Sequence, residues 1–84
     1  MTRDIVIARF EKHLNRKTRI MKRDNGTFYL ITEIWVSGKK SIFKGDVYVK
    51  DILEIIKSKF DNCISGKDPY FIWINRDIKS LVGV

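Results

Sequence analysis

The chain has 84 residues, 44% of them hydrophobic, with 17 Lys and Arg against 10 Asp and Glu and a net charge of +7. That length holds a single small domain, 1–84, and the apolar content excludes a disordered chain. One cysteine, Cys63, excludes an internal disulfide, and no apolar run reaches the roughly 18 residues that a membrane span needs.

A lone cysteine among many lysines suits a reducing environment. The first ten residues, MTRDIVIARF, carry charges inside their apolar run, unlike a secretory leader. A cytoplasmic, intracellular setting is therefore expected. The charge is uneven. Residues 1–23 hold eight basic groups against Asp4 and Glu11, whereas residues 24–84 hold nine basic and eight acidic groups. A field concentrated on one quarter of the chain attracts polyanions or acidic protein surfaces.

In chain order, residues 3–16 read as a helix, because Ile7, Phe10 and Leu14 stack at helical spacing with Val6 at the edge. The same arithmetic collects Arg9, Lys12, His13 and Arg16 on the opposite side. Thr18 to Arg23 reads as a strand, followed by the hairpin signal Arg23-Asp24-Asn25-Gly26-Thr27. Phe28 to Val36 (FYLITEIWV) is rich in β-branched and aromatic residues and reads as the next strand. A turn at Ser37-Gly38-Lys39-Lys40 leads to a short third strand, Ser41 to Lys44, whose continuation through Val47 and Val49 is left open. Val49, Ile52, Leu53, Ile56 and Phe60 make one continuous helical stripe. Asn62 to Pro69 ends that helix, and Pro69 to Asn75 is a last strand with its proline at the tolerated first position. The end, 77–84, reads as a loosely packed tail: a helical turn over Ile78, Leu81 and Val82, or an extra edge strand.

The expected fold class is α+β, a two-layer sandwich in the order α-β-β-β-α-β. An antiparallel three-stranded meander plus a fourth strand carries two helices on one face. On FYLITEIWV, Phe28, Leu30, Ile34 and Val36 should meet the helices, as should Tyr70, Ile72 and Ile74 of the last strand. Tyr29, Ile31, Glu33 and Trp35 then share the second face with Phe71 and Trp73. Large apolar groups there need a cover. The candidates are the tail, curling of the sheet, a second copy or partner protein, and nucleic-acid bases stacked on the aromatics.

Two sets of site residues follow. Arg9, Lys12, Arg16, Lys17, Arg19, Lys22 and Arg23 are candidates for phosphate contact through helix 1 and strand 1. Five of the eight residues 16–23 are basic, and such crowding repels itself unless a polyanion lies against it. Tyr29, Trp35, Phe71 and Trp73 are candidates for an interface or for base stacking. No catalytic, metal or cofactor site is expected. His13 has no nucleophile motif beside it, and His13 with Cys63 does not make a metal set. Ser37-Gly38-Lys39-Lys40-Ser41 is not a phosphate loop, since Glu33 stands where its first glycine belongs and Lys40 where its Ser or Thr does.

The expected function is a small basic non-enzymatic protein binding DNA or RNA. The alternative is a protein-interaction module or small inhibitor, of a phage-like accessory kind, that holds an acidic protein partner through the aromatic sheet face. A homodimer is compatible with either.

Overall fold

The computed structural model describes residues 3–12, 15–66 and 70–83. Five antiparallel strands form one sheet: β1 (Ile5–Lys12), β2 (Arg16–Lys22), β3 (Phe28–Val36), β4 (Lys39–Val47) and β5 (Tyr70–Ile74). Two helices complete the chain, α1 (Val49–Ile64) and α2 (Ile78–Val82). The sheet order is β4-β3-β2-β1-β5, so β1 to β4 form a meander and the last strand returns beside the first.

The fold class is thus α+β with an antiparallel meander, as expected. The expected order is corrected at its start: the segment read as helix 3–16 is strand β1, so the meander has four strands rather than three. His13 and Leu14, counted in that helix, lie outside the described residues, as does Pro69. The physical cause is a β-bulge. Val6 pairs with Met21 and Ala8 with Ile20, leaving Ile7 as the extra residue. A bulge turns two successive side chains toward the same side, so Ile7, Ala8 and Phe10 all enter the core, each at most 1% exposed. An inward spacing of three residues then imitates one helical turn. Asn75 secures the bulge from beyond β5. Its backbone N–H donates to the Ile7 carbonyl at 2.8 Å and its side-chain amide to the Val6 carbonyl at 3.0 Å.

The hairpins form where their turn residues require. Between β2 and β3, the Gly26 N–H donates to the Arg23 carbonyl and the Arg23 N–H to the Thr27 carbonyl. Gly26 has φ +87, the left-handed position that closes such a three-residue loop. Ser37 and Gly38 between β3 and β4 both have positive φ, +50 and +77. The third strand does continue past Lys44, but only to Val47; Val49 opens α1.

One sheet face carries both helices. Ile7, Ala8, Phe10, Ile20, Phe28, Ile52 and Val82 form the buried cluster, with Leu30, Ile55, Ile56, Ile72 and Leu81 packed against it. Burying each large side chain contributes about 1.5–3 kcal/mol, which makes this cluster the main source of stability. The stripe read on α1 is only partly buried. Ile52 and Ile56 point inward with Ile55, while Val49, Leu53 and Phe60 remain 42–47% exposed. The tail is α2, whose Val82 is buried on the helix side, so it does not cover the second sheet face. Thr18, the buried polar residue among those described, shares a 3.2 Å hydrogen bond with Thr32 across β2 and β3.

Candidate functional site

Strand alternation separates the basic residues read as one stripe. Arg9, Lys17 and Arg19 project from the open face, away from the helices, because they alternate with the core positions Phe10, Thr18 and Ile20. Lys12, Arg16 and Lys22 project to the helix side. Lys22 is used there: its Nζ donates to the Leu81 carbonyl at 2.8 Å and stands 5.7 Å from the Phe28 ring. Arg23 follows β2 and leans over the open face, 4.5 Å from the Tyr29 ring, with its guanidinium 2.9 Å from Asp46. The basic helical wedge of the sequence reading is replaced by a flat array built on β1 and β2.

The aromatic set falls where the alternation of β3 and β5 put it. Tyr29, Ile31, Glu33 and Trp35 lie on the open face, and Phe71 and Trp73 join them beside Glu11 and Arg9. Tyr29 differs from the others in being closed off, at 6% exposure. Arg23 and Lys44 lie over its ring, the Lys44 Nζ at 4.4 Å, and its hydroxyl donates to the Asp4 carboxylate. That hydrogen bond, with burial and the Asp4 charge, raises the Tyr29 pKa above the ordinary tyrosine value, against a smaller opposing pull from Arg23 and Arg19. Tyr29 is therefore a support for the face, whereas Trp35, Phe71 and Trp73 remain 40–56% exposed.

Read across the sheet, one row runs Trp73, Arg9, Arg19, Ile31, Lys44 from β5 to β4. A second row runs Phe71, Glu11, Lys17, Glu33, Ile42. Arg9 stands directly opposite Arg19, an arrangement that destabilises a sheet by itself. Two carboxylates on the same face offset it: Arg9 meets Glu11 at 3.1 Å and Arg19 meets Glu33 at 3.7 Å. Such partly exposed pairs contribute about 0–1 kcal/mol, so the arginines stay available to a stronger anion. Arg9, Glu11, Lys17 and Arg19 border a shallow depression in the middle of the face. Lys40 and Lys44, which the sequence reading did not single out, belong to the same surface, and Lys40 stands 5.5 Å from the Trp35 ring. Their signal was the tight turn at Ser37-Gly38, which sets Lys40 opposite Trp35 and Lys44 opposite Ile31.

Among the described residues, no group of three or more His, Cys, Asp or Glu is placed to hold a metal ion, and no helix is long and apolar enough to cross a membrane. No family model, curated protein or solved structure matches the chain.

Proposed function

We propose that the open sheet face binds single-stranded nucleic acid, without catalysis. Arg9, Lys17 and Arg19 contact phosphates, while Trp73 and Phe71 on one side and Trp35 on the other offer surfaces for base stacking. The observation that carries this reading is the like-charge pair Arg9–Arg19 beside Trp73 at the centre of an uncovered sheet. Only partly exposed ion pairs with Glu11 and Glu33 hold the two opposed guanidiniums, and a phosphate chain lying between aromatic platforms would bind them more strongly. A flat sheet also suits splayed single-strand bases better than a duplex groove.

Fluorescence anisotropy with labelled DNA and RNA single strands at several salt concentrations tests this. With three phosphates neutralised, log K falls against log salt with a slope of about −2. Arg9→Gln with Arg19→Gln flattens that slope, and Trp73→Ala costs about 1–3 kcal/mol of affinity with the slope retained. Absence of binding to either strand type at low salt sinks the proposal and favours an acidic protein partner on the same face.

A further inference from the structure

We infer that a second copy of this chain pairs with the outer edge of β4, joining two sheets into one. The inference concerns the edge of the sheet and does not depend on what the open face binds. β4 is a terminal strand of nine residues with all but Val47 exposed, including Ile42 at 54% and Phe43 at 59%. A long edge bearing apolar side chains is a template for another strand, and natural sheets guard such edges or use them. The opposite edge, β5, has five residues among those described.

Symmetry decides the register. Two copies related by a two-fold axis perpendicular to the sheet meet antiparallel, and paired residues share a face, so the axis passes through one residue and its copy. With the axis at Phe43, Lys40 faces Asp46 of the second copy, and the same pair recurs across the axis. Ile42 then lies against the stem of Lys44 of the second copy, and the two Phe43 rings are direct cross-strand neighbours. All nine residues take part. Moving the axis to Ile42 sets Lys40 against Lys44 twice, and moving it to Lys44 sets that lysine against itself; both also shorten the overlap. The lysines of β4 thus oppose its neighbouring registers and favour this one. Asp46 is open to the incoming lysine, with 80% of its side chain exposed despite the Arg23 contact. Gly45, opposite Ser41 of the second copy, has ordinary φ and open space where a side chain would stand, so nothing within the chain requires glycine there.

Sedimentation velocity or light scattering, run from about 1 to about 500 µM, covers the range expected of a small interface. A dimer mass appearing with concentration supports the inference; a monomer mass throughout overturns it. Lys40→Asp alone and Asp46→Lys alone should each weaken dimerisation by about tenfold or more, because each places like charges at both contacts. Mixing those two variants restores the opposite-charge pairs and should restore the dimer. Dimers that are indifferent to the single changes, or a mixture that stays monomeric although each variant keeps the wild-type circular dichroism, overturn the β4 pairing. Phe43→Lys, a change at a half-exposed position, should give a folded monomer.

Discussion

Tyr29 shows how a single side chain ties the open face to the rest of the chain. Its ring is roofed by Arg23 and Lys44 and its hydroxyl donates to Asp4, ahead of β1. Because the folded state raises its pKa, folding retains the phenolic proton more tightly than the unfolded chain does. The associated stability is fully present below the unfolded value of about 10 and is lost as pH rises through the folded value. Urea titrations at pH 8 and above pH 10 should show a greater alkaline loss for the wild type than for Tyr29→Phe. An equal loss in both would remove Tyr29 from the account. At this scale the aromatic half of the candidate site was legible, since FYLITEIWV alternates cleanly and assigns Tyr29 and Trp35 by parity alone. The basic half was not. Helical arithmetic put Arg9, Lys12 and Arg16 in one wedge, whereas strand parity sends Arg9 to one face and Lys12 and Arg16 to the other.

Among the elements, β1 carries the main lesson about reading patterns. Periodicity distinguishes a strand from a helix only while the strand keeps its alternation. Ile7, Ala8 and Phe10 break it through the bulge, and nothing local marks the break; it is held by Asn75, far away in sequence. The β2–β3 and β3–β4 hairpins, by contrast, are written in their own residues. The tighter one also holds a correctable strain. Ser37 adopts φ +50 beside Gly38, a pair of left-handed positions for which Asn-Gly is the favoured sequence. Ser37→Asn should raise the unfolding free energy by about 0.5–1 kcal/mol, a fraction of the penalty for a left-handed L-residue. The urea midpoint should increase with an unchanged slope, and a lower midpoint would refute the assignment of strain.

For the whole molecule, the position of β1 between β2 and β5 sets a timetable. Strands β1 to β4 can assemble as hairpins in the order of synthesis, each beside its predecessor. The other side of β1 cannot, because its partners Ile72, Trp73 and Ile74 come only after the other three strands of the meander and α1. Closing that seam joins two strands far apart in sequence, and non-local pairings of this kind place refolding toward the millisecond-to-second range rather than the microsecond range of helical bundles. A nascent chain therefore carries Phe10 and Ala8 with one flank of their strand bare until β5 has been synthesised. The strand that begins the sheet is the last to be sealed.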